Sequence, residues 1–156
     1  MTQGANDRLE IRIFTLADHV ATPPDGKMYI SGGGVDQTFL PEMPGALGPL
    51  SLAIRFRVPW NMTSERIPVE VRALDSDLKP VGPDPLLQAD IEVGRPPGTR
   101  PGDEIGVQLA VPLTGFPVQQ EGSIHFHLII GGKTLGVLPL KVQRALVAHI
   151  GPLATT

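Results

Sequence analysis

The chain has 156 residues, of which 41% are hydrophobic and 19% charged, and its formal net charge is -3. This length and composition fit one domain with a hydrophobic core and argue against disorder. The absence of cysteine excludes disulfides and thiolate chemistry, and an acidic balance with only 4% aromatic residues argues against nucleic-acid binding.

Residues 1–8 predict a disordered leader because they are mostly small and polar. No basic stretch leads into an apolar run, which argues against a signal peptide. No apolar run in the chain approaches the length of a membrane span. We therefore expect a cytoplasmic protein that does not enter the membrane.

Segments of strand length follow, in which apolar residues occupy every second position. A period of two places one set of side chains in a core and the other in water, which is typical of an antiparallel sheet with one solvated face. The clearest case is residues 50–58, where Ile54 and Phe56 alternate with Arg55 and Arg57. The strands predicted in this way cover residues 9–17, 28–31, 50–58, 66–74, 87–93, 104–112, 122–130 and 133–142.

Clusters among the 18 glycines and 17 prolines separate these strands. The stretch PEMPGALGP at residues 41–49 is predicted to be a loop that cannot continue a sheet. Pro68 and Pro139 lie inside strand patterns, and proline cannot donate to a ladder. We therefore expect their strands at sheet edges or beside bulges.

With about eight or nine short strands and no competing helical period, the chain is predicted to be an all-β, single-domain antiparallel sandwich over residues 9–142. Residues 143–156 are predicted to form a tail, with a short helix or a last strand as alternatives.

His125 and His127 lie two residues apart on one predicted strand, so both rings project from the same face. Two imidazoles placed this way are able to bind zinc or copper, but a structural site needs at least two further ligands. The alternative is that both rings decorate the solvated face opposite Phe126. We predict no metal site and no cofactor, and His125 and His127 are the residues to test for metal binding.

The remaining motifs have ordinary structural interpretations. Three aspartates, Asp75, Asp77 and Asp84, lie near one another in the sequence. Three loosely spaced carboxylates supply too few oxygens for a calcium site, whereas Asp75 and Asp77 suit an ordinary turn. The glycines at residues 32–34 lack the Lys-Ser/Thr of a phosphate-binding loop and predict a bent strand. No serine lies in a nucleophile elbow, so we expect no enzyme.

Four stretches at turns and strand ends carry a resemblance. They are LADHV at residues 16–20, DGKMYISGGG at 25–34, LDSD at 74–77 and GVLPL at 136–140. Together they resemble a family of small bacterial proteins defined only as a domain of unknown function. The resemblance extends over nearly the whole chain and implies an immunoglobulin-like β-sandwich, without an established activity or catalytic residues.

The function expected from these observations is a non-enzymatic binding or assembly module. It would engage a protein partner or another copy of itself through loops or an edge strand. Candidate partner-binding residues are Trp60, a residue type enriched at binding hot spots, and the outward-facing Arg55 and Arg57. The alternatives are a small-ligand or carbohydrate-binding module and a metal-binding protein using His125 and His127; no nucleic-acid or membrane partner is expected.

Overall fold

A computed structural model describes residues 8–146. Eleven strands form among these residues, with a 3-10 turn at Trp60–Met62. The strands are β1 (Glu10–Ala21), β2 (Tyr29–Gly33), β3 (Gln37–Leu40), β4 (Gly45–Ala46), β5 (Ser51–Pro59), β6 (Arg66–Leu74), β7 (Leu87–Glu92), β8 (Glu104–Pro112), β9 (Pro117–Val118), β10 (Gly122–Ile130) and β11 (Lys133–Arg144). Within the same residues, no helix has the length and apolar character needed to cross a membrane.

The strands form one four-stranded sheet in the order β2-β1-β5-β8 and one five-stranded sheet in the order β3-β11-β10-β6-β7. A short pair, β4-β9, accompanies them. All neighbours are antiparallel except β3 and β11, which run parallel and correct the purely antiparallel prediction. β11 continues to Arg144, two residues past the predicted end at residue 142, because its last residues pair with β3.

Both larger sheets contribute to one hydrophobic core. Ile54 and Phe56 of β5 and Phe126 of β10 are fully buried there, as their alternation predicts. Leu109 of β8 packs against the same core but is only half-buried, since its strand is the last in its sheet. Phe126 also meets Phe116 edge to face, with 6.3 Å between ring centroids and an interplanar angle of 63°.

The four-stranded sheet is covered in part on its outer face as well. Ala17 and Ala53 point away from the main core, yet both are fully buried. Met28, in the β1–β2 connection, packs against them. The side-chain amide of Gln108 donates a hydrogen bond of 3.0 Å to the carbonyl of Lys27 in the same connection. The connection between β1 and β2 therefore lies over this face.

The number of strands exceeds the predicted eight or nine because two loops pair with each other. β4 lies within residues 41–49, which were predicted to exclude sheet structure, and β9 lies beside it. Leu47 and Phe116 are buried next to this pair, and the Leu47 amide donates to the Phe116 carbonyl over 2.9 Å. Burial of apolar loop residues brings the two backbones together, a tertiary effect that local proline content does not reveal.

The prediction that Pro68 lies on an edge strand or beside a bulge was wrong, and no register shift occurs in either pairing of its strand. Its strand, β6, lies between β10 and β7. Pro68 is tolerated because the paired part of β10 ends at Ile130, and the Pro68 carbonyl accepts the amide of Gly131 over 2.9 Å in the hairpin. Pro139 lies on β11 before the segment that pairs with β3, so its side away from β10 has no strand neighbour among the described residues.

Residues 1–7 of the predicted leader (1–8) and residues 147–156 of the predicted tail (143–156) lie outside the described residues.

Candidate functional site

The outer edge of β8 is the longest open strand edge of the described chain. All nine of its residues pair with β5 without a register shift, from Glu104 opposite Pro59 to Pro112 opposite Ser51. On the other side β8 ends its sheet, and residues 94–103 before it form no strand. The backbone of β8 is therefore hydrogen-bonded on one side only within residues 8–146.

The direction of each amide follows from one bond at the end of the strand. The amide of Leu113, just after β8, donates to the carbonyl of Leu50, just before β5, over 2.8 Å. The amide at position 113 therefore points toward β5. In an antiparallel ladder, successive residues alternate between the two sides. The amides of Val107, Leu109 and Val111 therefore face β5, whereas those of the residues between them point outward; these are Gly106, Gln108 and Ala110.

The edge of β8 lacks the features that usually protect an edge. Natural edge strands are often shortened, or carry proline, charge or bulges that prevent pairing with another chain. Residues 105–111 (IGVQLAV) contain neither a charged residue nor a proline. By comparison, β2 bends at Gly32, whose φ is +66°, β3 has four residues, and β7 carries the exposed Asp90 and Glu92.

A shallow, open and mainly apolar cleft of about 600 Å³ lies beside residues 105–107 of β8, and the end of β7 contributes to its lining. Ile105 and Val107 of β8 line one side and Ile91 of β7 lines the other, all three half-buried. The next strand position beside β8 would turn alternate side chains into this space. The cleft therefore supplies apolar surface to the inward face of an added strand.

Trp60, a partner-binding candidate from the sequence, forms a stack with a neighbouring arginine. The guanidinium of Arg95, a cleft residue, stacks 3.8 Å from the centroid of the Trp60 ring. Nε of Arg95 donates to Oγ1 of Thr63 over 2.6 Å, and that hydroxyl donates to the Trp60 carbonyl over 2.6 Å. Trp60 therefore holds the Arg95 side of the cleft in place.

Arg57 lies on the outer face of β5, as predicted, but it is only 8% exposed. Its Nη2 lies 2.6 Å from Oε2 of Glu10 on β1, and its Nη1 pairs with Glu104 on β8. Arg12 lies 3.6 Å from the second oxygen of Glu104. These contacts join three adjacent strands, so Arg57 holds the first residue of β8 to its sheet.

Arg55 reaches across β8 toward the open edge. Its Nη1 donates to Oε1 of Gln108 over 3.0 Å. Because the Gln108 amide nitrogen donates to Lys27, the oxygen is the atom left to face Arg55. Nη2 of Arg55 lies 3.0 Å from the point a Cβ at Gly106 would occupy, so the guanidinium rests over that glycine. The ion pairs among residues 8–146 involve Arg12, Arg57 and Arg72 but not Arg55.

His125 and His127 share the outer face of the five-stranded sheet, away from the edge of β8. They lie opposite Leu74 and Arg72 of β6, and both are half-buried rather than solvated. Burial, followed by electrostatic repulsion from His125 and Arg72, lowers the pKa of His127. Within residues 8–146, no group of three or more His, Cys, Asp or Glu side chains is arranged to hold a metal ion.

Asp75 acts in a turn, as the sequence predicts. Oδ1 of Asp75 accepts the amides of Asp77 and Lys79 over 2.8 and 2.9 Å. Asp84 does not join them, because it forms two hydrogen bonds of 2.9 Å with Arg72. A polar cleft of about 520 Å³ lies beside the turn, and Glu121 in its wall accepts the backbone amide of Arg144 over 2.6 Å.

The glycine triplet bends β2, as the sequence indicates. Gly32 has a positive φ of +66°, and a Cβ there would collide with the carboxylate of Asp18 on β1. Two of the stretches that carry the family resemblance, residues 16–20 and 25–34, thus come together in one hairpin.

Hydrogen exchange provides a direct test of the open edge. We expect the amides of Gly106, Gln108 and Ala110 to exchange rapidly in the free protein, because they point away from β5. The amides of Val107 and Leu109 should be protected by orders of magnitude more, since they are bonded within the ladder. Residue-resolved nuclear magnetic resonance exchange at neutral pH measures this alternation; uniform protection along β8 would contradict an open edge.

Sequence reasoning predicted β8 with its observed bounds but did not single it out as an edge. Proline within a strand predicts an edge or a bulge, and β8 has a proline only at its last residue, Pro112. The sequence feature that indicates this open edge is a long alternating strand with no charged residue at positions 105–111. The proline- and glycine-rich stretch at residues 94–103 precedes it.

Comparison with known proteins gives a family but no activity. The model of DUF6941, a family of unknown function, matches residues 12–143. No curated protein matches the chain.

Proposed function

The chain belongs to the family of unknown function DUF6941, and for it we propose a non-enzymatic binding module that accepts an extended segment of a partner protein beside β8. The observation that carries this proposal is the one-sided pairing of all nine residues of β8. In strand addition, backbone hydrogen bonds supply affinity and pockets for alternate side chains supply specificity.

The outward amides of Gly106, Gln108 and Ala110 supply the backbone donors for such a segment. The cleft beside Ile105, Val107 and Ile91 supplies the apolar surface for every second side chain. Both features favour a partner segment with alternating apolar residues over a compact ligand. The ordered Trp60–Arg95 stack fixes one wall of the cleft before binding, which lowers the entropic cost of association.

The strand order supports the same position for the partner. We infer an immunoglobulin-like arrangement, in which β1-β5-β8 follow the order A-B-E and β11-β10-β6-β7 follow G-F-C-C′. In that arrangement a further strand, D, lies beside E. Here residues 93–103 occupy that part of the chain without forming a strand, so the partner segment would take the place of D.

Selection from a random nonapeptide library displayed on phage tests this function. Peptides enriched on the wild-type protein should carry apolar residues at alternate positions. Their binding should protect the amides of Gly106, Gln108 and Ala110 from exchange. Ala110→Pro removes one outward donor and places a ring at the edge, so it should weaken binding by about tenfold or more, the equivalent of one lost hydrogen bond.

Val137→Ala provides the matched control, because Val137 is an exposed apolar side chain, 49% accessible, on the other sheet. This variant should bind the selected peptides as the wild type does. Enriched peptides without alternation, or binding that survives Ala110→Pro but not Val137→Ala, would refute strand addition at β8.

A further inference from the structure

We propose that Arg55 selects a partner segment with a carboxylate opposite Gly106, on the face of the added strand that points away from the cleft. The inference rests on the proposed strand addition at β8 and names the chemistry of its partner: an extended peptide with alternating apolar residues and one Asp or Glu.

Arg55 differs from Arg57 and Arg72 in how its charge is paired. Arg57 shares Glu10 and Glu104, and Arg72 pairs with Asp84, but none of the ion pairs among residues 8–146 includes Arg55. Its side-chain hydrogen bond goes to Gln108, a neutral acceptor. Arg55 is half-buried, so water screens its charge less than that of a fully exposed arginine.

The guanidinium of Arg55 lies over β8, near its open edge. Arg55 starts on β5, yet its Nη1 contacts the side chain of Gln108 on β8 and its Nη2 lies over Gly106. The guanidinium has therefore crossed one strand spacing toward the edge. Any side chain at position 106 would meet Nη2 at 3.0 Å and compete for the same space. Glycine leaves the face of β8 open to the cation at that point.

A strand added beside β8 would bring one of its side chains close to Arg55. Residues directly opposite across an antiparallel pair have Cβ atoms roughly 4.5–5.5 Å apart. The residue opposite Gly106 therefore places its side chain beside the Arg55 guanidinium. A carboxylate at that position is able to accept two parallel N–H bonds, which is the strongest common pairing of an arginine.

The local charge balance points the same way. On this outer face, Arg12, Arg55 and Arg57 accompany Glu10 and Glu104, which leaves one positive charge in excess. Glu104 is already paired with two of the arginines and adds little repulsion toward an incoming acid. A segment with lysine at this position would meet Arg55 without compensation.

The experiment uses one library-selected nonapeptide and places Glu, Gln or Lys in turn at each position that faces away from the cleft. At one such position we expect Glu to bind about fivefold tighter than Gln, the upper range for a partly exposed ion pair, and Lys to bind more weakly than Gln. The preference should disappear in Arg55→Gln, persist in part in Arg55→Lys, and shrink as salt rises from about 50 to 500 mM. Arg72→Gln, on the other sheet, should leave it unchanged.

The outcomes separate the two proposals. If no peptide binds at β8, the proposed function fails before charge is examined. If peptides bind there but Glu, Gln and Lys are equivalent at every position, or the Glu preference survives Arg55→Gln, strand addition stands and the role of Arg55 is refuted. A dimer in light scattering that Ala110→Pro converts to monomer would identify a second copy as the occupant and would also refute an acidic partner.

Discussion

Leu109→Pro should destabilise the protein by about 3 kcal/mol or more, whereas Ala110→Pro should cost about 1 kcal/mol or less. The amide of Leu109 points toward β5, so proline there removes a ladder bond, leaves a carbonyl of β5 unpaired and deletes a half-buried side chain. The amide of Ala110 points outward, where proline is compatible with an edge strand. Urea denaturation followed by circular dichroism measures both changes.

Leu109→Ala is the control for this pair, because it removes the side chain but keeps the amide. It should cost less than Leu109→Pro, and the difference reports the lost ladder bond together with the steric effect of the proline ring. Equal costs for the two prolines would mean that β8 is bonded on both sides, and the open edge would be disproved.

Phe126→Ala should lower the free energy of unfolding by about 3–5 kcal/mol, the range for removing a buried aromatic side chain. Phe126 is fully buried on β10, the central strand of the five-stranded sheet, in the core to which both larger sheets contribute. Its edge-to-face contact with Phe116 would be lost as well. Such a loss is a large share of the roughly 5–15 kcal/mol that stabilises a typical domain.

Phe39→Ala makes the comparison, because Phe39 is 55% exposed on the edge strand β3. It should cost less than about 1 kcal/mol in the same urea titration. A cost for Phe126→Ala close to that for Phe39→Ala would place the core elsewhere and would overturn the packing of the two sheets described above.

The bounds of three strands could be predicted from local alternation alone. β6, β8 and β10 begin and end at the predicted residues, since each is a long alternating run bounded by turn residues. β4 and β9 could not be predicted, because they depend on Leu47 and Phe116 being buried side by side. The order of strands in a sheet is likewise a property of distant pairings, which is why Pro68 was assigned to an edge.

The candidate site was predictable in part. Alternation placed Arg55 and Arg57 on the outer face of their strand, and both lie there. Their different roles depend on partners far away in the chain: Glu10 and Glu104 for Arg57, and Gly106 for Arg55. A glycine within an alternating strand was the only local sign that a side chain from another strand crosses at that position.

A strand that is hydrogen-bonded along one side only unfolds locally at a lower free energy than strands bonded along both sides. If a partner segment adds to β8 as proposed, mass action links occupancy of β8 to the lifetime of the whole chain, because the bound segment would stabilise only the folded form. Copies without a bound segment would unfold locally at β8 more often and would be cleaved there by proteases. The amount of protein in a cell would then depend on the supply of that segment.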